Sequence, residues 1–422
     1  KVTAFGMALD GAVKAERTVG ITQRELGTRW LGPGKSEVTG SPQAGRIDLE
    51  LRLINGVQAQ DTRFVTSTTS RTLSADGAQP DELWVRSDWF SAGVGSFELS
   101  GAGSVLLPED VSLTLGPTAL RDADGKWSDG SRLAISGTDF TINGRIGAAG
   151  GTVSLDTDGL VDSAPRVDRN IVVGSKASIS TAGQWQRDTR STASGYVAKD
   201  GGSVTLDADN DLVLNAGAVI DASAGAWQTV AGRTSLGDAG TVALGAGFEV
   251  GSGDFGSGAT VGTYTGDLQL DGRVSAYAAS LQGRSGDSGT LSLRSAAVAI
   301  DGGDTRLEGD TLYLSPTLFS AYGFGDITVA GGNLVELGRE GAALSLTPQL
   351  VTRAIDGIGS ASRTSLDGLG TLAIMPRAFR DEGMRLAFES ASDLLGTVRV
   401  HEGTRIAVDA GGEIELSANR SL

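Results

Sequence analysis

The 422 residues include 63 glycines, 9 prolines and no cysteine, and 51 acidic against 35 basic residues give a net charge of −16. The hydrophobic content of 39 % excludes a disordered chain, and glycine lacks the every-third-residue period of collagen. Because nucleic-acid affinity depends on neutralising phosphates, an acidic chain without a basic block argues against DNA or RNA as a partner.

We expect no membrane-spanning helix, because no run of about 18 apolar residues occurs. Without cysteine, the stability of a long extracellular chain must come from a continuous core and not from disulfides. No signal peptide begins at Lys1, and no linker rich in proline or charge divides the sequence. We therefore expect one elongated repeat body, an internal or processed piece of something longer.

Residues 1–45 have the least regular pattern. A short amphipathic helix between Val13 and Leu26 is one interpretation, but Gly20 and Gly27 weaken it. We predict an irregular extension or an early coil for this segment.

Residues 46–346 consist of short strand signals separated by glycine, aspartate and asparagine. The clearest unit, from Gly201 to Gly225, holds three such signals: Val204–Leu206, Leu212–Leu214 and Val219–Ile220. The residues between them favour turns, and three strands with their corners in about 20–25 residues match one coil of a parallel β-solenoid. We predict an all-β fold, a parallel β-helix with loop insertions and short helices. About 15–20 coils would make a rod of roughly 70–95 Å.

An internal repeat supports this prediction. The pattern from Asp139 to Ile146 matches that from Asp267 to Val274, and a Gly-Thr strand follows each copy. The second copy carries a ten-residue insertion before that strand, which a solenoid accommodates as a loop at a corner. The motif Gly-[Ser/Thr]-apolar-x-apolar also recurs at irregular spacing, as expected for a decorated solenoid.

Two tryptophans end similar segments, each two residues after a glycine and before a polar loop. Trp185 and Trp227 would stack on sugars if their faces are exposed, whereas the alternative is that each ring seals a loop against the coil. A third loop follows Ala276 and begins with Tyr277. Because insertions on a solenoid gather on its functional surface, we predict these three loops, marked by Trp185, Trp227 and Tyr277, as ligand-contact sites.

The strand pattern thins between residues 347 and 395, which we predict to be an insertion within the solenoid. Thr347, Pro348 and Gly357 give start and stop signals for a helix over residues 349–356, and a second short helix is predicted within Pro376–Leu395. Residues 396–422 return to strand patterns and are predicted to be final coils. Since a solenoid end exposes unpaired strand edges, we expect more protein beyond Leu422.

The residues from Gly201 to Ser223 resemble the repeats of filamentous haemagglutinin-type exoproteins of Gram-negative bacteria. The stretch from Leu314 to Val329 is similar to a segment of long passengers of that family, and the resemblance covers roughly residues 80–340 and 395–420. It implies a right-handed parallel β-helix, secreted to the cell surface through an outer-membrane two-partner secretion transporter. The Asn-Pro-Asn motifs of the family's secretion domain are absent, so this chain would lie downstream of that domain.

Three functions are consistent with this sequence. The first is part of a secreted or surface-exposed adhesin, a rigid rod that attaches to cells, surfaces or matrix polysaccharide through a glycan or protein ligand. The second is the structural stalk of a toxin-delivery or filament protein, and the third is a polysaccharide-degrading β-helix. The resemblance and the decorated repeats favour the first.

Glycoside hydrolysis would require two carboxylates about 5–10 Å apart that flank the sugar. The candidates are Asp207, Asp209 and Asp211, with Asp156 and Asp158 next. Each group lies among turn residues, and the single histidine, His401, is distant in sequence, so we predict that the chain is not an enzyme.

We also predict no metal and no cofactor. The run from Asp122 to Gly125 begins like a calcium loop but lacks the spacing and the final glutamate of an EF-hand. The glycines from Gly251 to Gly256 resemble a nucleotide loop only in number, because no helix signal follows them. Zinc sites need cysteine or several histidines.

Overall fold

The computed structural model describes residues 2–4, 45–51, 60–69, 82–91, 94–116, 119–121, 127–157, 169–187, 198–250, 263–359, 364–380, 382–390 and 396–418. Within these ranges the chain is nearly all β. The weak helix pattern between Val13 and Leu26, the calcium-like run, the glycine run from Gly251 and the candidate Asp158 lie outside the described residues.

The strands up to residue 157 are β1 (Val2–Ala4), β2 (Gly45–Leu51), β3 (Asp61–Val65), β4 (Glu82–Arg86), β5 (Val94–Ser100), β6 (Ser104–Leu107), β7 (Ser112–Leu115), β8 (Ala119–Arg121), β9 (Trp127–Asp129), β10 (Arg132–Ser136), β11 (Asp139–Ile142), β12 (Arg145–Ala148) and β13 (Thr152–Asp156). The strands from residue 169 to residue 300 are β14 (Ile171–Val173), β15 (Ser178–Ser180), β16 (Gln184–Arg187), β17 (Ser203–Ala208), β18 (Leu212–Leu214), β19 (Val219–Asp221), β20 (Ala226–Gln228), β21 (Thr234–Leu236), β22 (Thr241–Ala246), β23 (Phe248–Val250), β24 (Thr263–Thr265), β25 (Leu268–Leu270), β26 (Arg273–Ser275), β27 (Ala279–Leu281), β28 (Arg284–Ser285) and β29 (Gly289–Ile300). The remaining strands are β30 (Arg306–Glu308), β31 (Thr311–Tyr313), β32 (Phe324–Leu337), β33 (Leu344–Leu346), β34 (Val351–Ala354), β35 (Thr364–Ser365), β36 (Thr371–Ile374), β37 (Arg385–Ser390), β38 (Thr397–Val400), β39 (Thr404–Ile406) and β40 (Glu413–Ser417). The helical elements are α1 (Asp88–Ser91), α2 (Leu318–Ala321) and the 3-10 turn η1 (Arg377–Phe379).

The largest sheet follows a path of eleven parallel strands, in the order β1, β2, β5, β10, β13, β17, β22, β29, β32, β37 and β40. Because side chains alternate along a strand, every second position in each strand faces the same side. One inward position holds seven residues that are all 0 % exposed: Leu133, Val153, Val204, Val242, Leu291, Ile327 and Leu386. The neighbouring outward positions, such as Ser154 and Thr205, are partly exposed. Each added strand therefore extends one continuous apolar column.

Two smaller parallel sheets complete the core. One runs β25, β18, β14, β11, β6, β3, β4, and the other runs β26, β19, β15, β12, β7. From β10 to β19 the chain visits the three sheets in a fixed order, so that β10, β11 and β12 are followed by β13, β14 and β15, and then by β17, β18 and β19. We call one pass of the chain through the three sheets a circuit. Each strand pairs with the corresponding strand of the next circuit. The segments that begin at Asp139 and Asp267 occupy equivalent places, which confirms the internal repeat.

Circuit length varies while strand register is kept. One circuit takes 20 residues, from Leu133 to Val153, and the next takes 51, from Val153 to Val204. The register holds across both circuits because lengthening a connection between paired strands costs little additional free energy. Eleven strands at about 4.8 Å span only about 48 Å, so the expected 15–20 coils and 70–95 Å are wrong for the described chain. The estimate failed because it assigned too few residues to each circuit.

Glycine stands before several strands of the main sheet for a steric reason. A Cβ atom at Gly151 would overlap the carbonyl oxygen of Ser131, one at Gly202 would overlap that of Gly151, and one at Gly240 would overlap that of Gly202. Those same oxygens accept the N–H groups that follow the glycines, at 2.7, 2.8 and 3.0 Å. The recurring Gly-[Ser/Thr] motif thus marks close approach of stacked backbones.

The helix predicted over residues 349–356 is wrong. Those residues contain β34, which pairs with β27 in parallel and with β36 in antiparallel orientation. Thr352 is 0 % exposed and Arg353 is 4 % exposed, so pairing and burial against distant strands override the local cap signals. Of the described residues within Pro376–Leu395, only η1 is helical, and β37 occupies residues 385–390 in the main sheet.

Candidate functional site

Trp185 lies in β16 and is 2 % exposed. Its ring packs in a small apolar cluster with Ala226, Ile355 and Leu366, and its Nε1 donates a hydrogen bond to the carbonyl oxygen of Gly359 at 3.4 Å. This burial corrects the sugar-stacking interpretation of Trp185, because a covered ring presents no face to a ligand. The indole instead seals the segment around Gly359 against β16, and ligand contact by the loop after Trp185 stays a prediction.

Trp227 lies one strand away from Trp185 and is half-buried. In β20 it stands opposite Gln186 of β16 and opposite Ser235 of β21. The hairpin of β20 and β21 turns through residues 229–233, where Val230 is 53 % exposed. The loop after Trp227 therefore projects an apolar side chain outward.

Tyr277 is 3 % exposed and links neighbouring segments of the chain through hydrogen bonds. Its hydroxyl donates to the carbonyl oxygen of Ala321 at 3.0 Å, and its N–H donates to the hydroxyl of Ser223 at 3.0 Å. The guanidinium of Arg353 lies 5.0 Å from the ring centroid. Burial raises the pKa of Tyr277, and the positive charge of Arg353 lowers it in part. Its ring is therefore not available to a ligand either.

The candidate carboxylates Asp207 and Asp209 are each held by an arginine. Asp207 forms an ion pair with Arg294 on the outward face of the main sheet. Asp209 accepts a hydrogen bond from Nη1 of Arg169 at 2.9 Å, and the Arg169 side chain is only 4 % exposed. Asp156 occupies the position next to Asp207 on the neighbouring strand. These contacts give Asp207 and Asp209 a role in joining circuits.

Asp211 belongs to a ladder of polar side chains at the corner before the strands of the seven-stranded sheet. The ladder contains Asp61, Ser104, Asp139, Asn170, Asp211 and Asp267, which are in register. A side-chain oxygen of one member accepts the N–H of the next: Asp61 from Ser104 at 2.9 Å, Asn170 from Asp211 at 3.0 Å and Asp211 from Asp267 at 3.0 Å. Such bonds satisfy N–H groups that the turn would otherwise leave unpaired.

Asp267 ends this ladder in an unusual state. The hairpin of β30 and β31 packs beside β25. The main-chain N–H of Leu268, which follows Asp267, donates to the hydroxyl of Ser295 at 3.1 Å. Oδ1 of Asp267 is buried and has no hydrogen-bond partner among the described residues. Burial, together with the smaller effect of the nearby carboxylates of Asp211 and Asp310, raises the pKa of Asp267 to about 6.

His401, the single histidine, is partly exposed and lies beside Glu336. Its Nε2 lies 2.6 Å from Oε1 of Glu336, and Nη1 of Arg399 lies 3.4 Å from the same oxygen. These residues belong to or adjoin the parallel pair of β32 and β38. The contact is a partly exposed surface network.

A cleft of about 470 Å³ opens between a corner of the stack and an excursion of the chain. The corner joins β25 to β26, and the excursion runs from Asp301 through β30, β31 and α2 to Gly323. Polar groups in the lining are Asp271, Asp304, Thr305, Ser315, Thr317 and Tyr322. The sequence contained no repeat or motif that pairs this corner with this excursion, so sequence reasoning missed the cleft.

In the described part of the chain, no three residues of histidine, cysteine, aspartate or glutamate are grouped so that they could hold a metal ion. The described helices include none that is long and apolar enough to cross a membrane. No family model, curated protein or solved structure matches this chain.

Proposed function

We propose that this chain is a right-handed parallel β-helix and forms part of a secreted or surface-exposed bacterial adhesin. The observation that carries the fold is the fixed order in which the chain visits three parallel sheets around one apolar core. Connections between parallel strands of one sheet are right-handed in nearly all proteins, which supports the handedness. The family resemblance of residues 201–223 supports the secreted location and a two-partner secretion transporter as partner.

A stack of this kind is suited to attachment. The inward columns fix the strands, while the connections between them vary in length without loss of register, as the circuits of 20 and 51 residues show. Other connections carry the hairpin after Trp227 and the cleft beside Asp271. Binding surfaces can thus vary on a rod whose core remains constant.

The test is an attachment assay with the whole chain. Beads coated with the 422-residue protein are applied to cultured epithelial cells, to Gram-negative bacteria and to immobilised matrix polysaccharide, beside beads coated with the heat-denatured protein. We expect retention of the native beads without release of reducing sugar. Release of reducing ends would replace the proposal by the polysaccharide-degrading alternative, and absence of retention on all three surfaces would favour the structural stalk.

A separate measurement tests the fold. A crystal structure should show right-handed circuits that each add one strand to the three parallel sheets. Mostly antiparallel pairing would contradict the β-helix irrespective of the attachment result.

A further inference from the structure

The cleft beside Asp271 exists because regular stacking is interrupted there. The hairpin of β30 and β31 stands beside β25, and residues 314–322 then return to the main sheet through α2. This excursion overhangs the corner that joins β25 to β26 and leaves a recess of about 470 Å³. Recesses of this size accommodate small ligands or a few sugar units.

The overhanging wall is fixed before any ligand arrives. The hydroxyl of Thr305 accepts the N–H of Ser315 at 3.1 Å, and the carbonyl oxygen of Ser315 accepts the N–H of Leu318 at 3.0 Å. Leu318 and Phe319 are 6 % and 1 % exposed and anchor α2 in the core. A wall held in this way loses little conformational entropy on binding.

The lining combines hydrogen-bonding groups with an apolar surface. The carboxylates of Asp271 and Asp304 are acceptors, and the hydroxyl groups of Thr317 and Tyr322 both donate and accept. Leu270, Val274 and Leu318 supply apolar contact beside them. Sugars present hydroxyl groups around a ring with apolar C–H faces, which matches this mixture of groups.

The charge of the cleft restricts the ligand further. Within the described residues, no side chain donates a hydrogen bond to the carboxylate of Asp304. The neighbouring cation, Arg306, donates from Nη1 to the main-chain carbonyl oxygen of Asp304 at 3.2 Å and from Nη2 to Asp301 at 2.9 Å, and its guanidinium carbon lies 3.9 Å from the ring centroid of Tyr313. The described lining itself contains the two carboxylates of Asp271 and Asp304 and no cation, so sulfated or uronic sugars would meet like charge there.

We propose that this cleft binds a neutral oligosaccharide, with Asp304 and Asp271 accepting hydrogen bonds from sugar hydroxyl groups and Tyr322 contacting a sugar face. This inference rests on the proposed attachment function and names the ligand class of one site. The carboxylates bind by hydrogen bonding alone, and no bond of the sugar is broken.

The experiment titrates the full chain with N-acetylchitotetraose, maltotetraose and cellotetraose, with a heparin tetrasaccharide and putrescine as charged comparators, by saturation-transfer NMR and calorimetry. We expect at least one neutral oligosaccharide to bind with Kd at or below about 1 mM, and neither charged comparator to compete with it. Asp304→Asn should weaken that binding by about tenfold, because a charged acceptor is replaced by a weaker one. Ala216→Trp, which fills the recess from the corner between β18 and β19, should abolish it.

Asp356→Asn is the matched control, since Asp356 is an exposed acid on a turn outside the cleft. Circular dichroism and melting curves must show that all variants remain folded. Binding of no neutral sugar, binding unaffected by both cleft variants, or preferential binding of putrescine would each overturn the inference. Beads coated with Ala216→Trp separate the two proposals: retention on cells without sugar binding would remove this cleft and keep the attachment function.

Discussion

Oδ1 of Asp211 accepts the main-chain N–H of Asp267 at 3.0 Å, although 56 residues separate the two in sequence. The bond crosses from one circuit to the next at the same corner. Oδ1 of Asp267, in contrast, is buried and accepts no hydrogen bond from any described residue. The same side-chain type therefore supports the ladder at one position and is under electrostatic strain at the next.

Asp267→Asn should change how stability depends on pH. The folded state raises the pKa of Asp267 from 3.8 to about 6, so the folded state binds the proton more tightly than the unfolded state. The stabilisation of the folded state by this tighter proton binding is complete below pH 3.8 and is lost as pH rises through about 6. At pH 7 the asparagine variant should exceed the native chain in free energy of unfolding by about 1 kcal/mol, after a reduction for partial exposure to solvent.

Denaturant melts of both proteins at pH 4 and pH 7 measure this effect, with Asp356→Asn as the control on an exposed turn. The difference should be present at pH 7 and nearly absent at pH 4. If the difference in free energy of unfolding between the variant and the native chain were the same at both pH values, Asp267 would not titrate in this range.

Leu214→Asp should destabilise the chain severely. Leu214 is 0 % exposed and stacks between Val173 and Leu270 in the seven-stranded sheet. An aspartate there both removes apolar contact and buries a charge, with an expected loss of about 4 kcal/mol or more. Thermal melting beside Val213→Asp, whose partly exposed side chain faces the other side of the same strand, gives the comparison. Equal losses would contradict the inward assignment of Leu214.

Asp209→Ala should also be costly, although Asp209 lies in a corner. Its removal leaves the guanidinium of Arg169 buried without this carboxylate, and losing one member of a buried ion pair costs about 3 kcal/mol. Adding Arg169→Met to Asp209→Ala should recover much of the loss, because the second change removes the buried charge. A double-mutant cycle on unfolding free energies measures the coupling, and simple additivity of the two changes would contradict it.

Gly202→Ala should weaken the main sheet even though it adds only a methyl group. The new Cβ would overlap the carbonyl oxygen of Gly151, and both backbones are fixed by strand pairing, so we expect a loss of about 2 kcal/mol or more. Gly359→Ala is the control, since a Cβ there meets no atom within 4 Å. Chemical denaturation of the two variants compares them, and a neutral Gly202→Ala would show that the stacked backbones can separate.

The parts of the fold that could be predicted are those encoded by short patterns. Alternation marked Leu212 and Leu214 as inward residues, and the repeated Gly-Ser/Thr pairs marked strand starts such as Gly202. The burial of Trp185 could not be read in this way, because it depends on a segment 174 residues later that returns to cover the ring. The helix signals around Val351 failed for the same reason, since strands far away in sequence supply the pairing.

The candidate site was harder to predict than the fold. The aspartates from Asp207 to Asp211 were recognised as a group, but their partners Arg294 and Arg169 come from other circuits. The cleft depends on an excursion whose path over the corner at Asp271 is set by tertiary packing of α2. Composition shows which groups are available, whereas only the folded chain shows which of them meet.

The eleven-strand path has a consequence for mechanical load. Its main-chain hydrogen bonds point from each strand to the next, so tension along the stacking direction acts on successive strands in series. Under such tension the weakest junction sets the breaking force. The pair of β29 and β32 is the longest on the path, running from Gly289 to Ile300 despite two register shifts, whereas β1 and β2 pair at only three residues. Within this sheet a pulled molecule should therefore part at a short junction first and keep β29 and β32 joined.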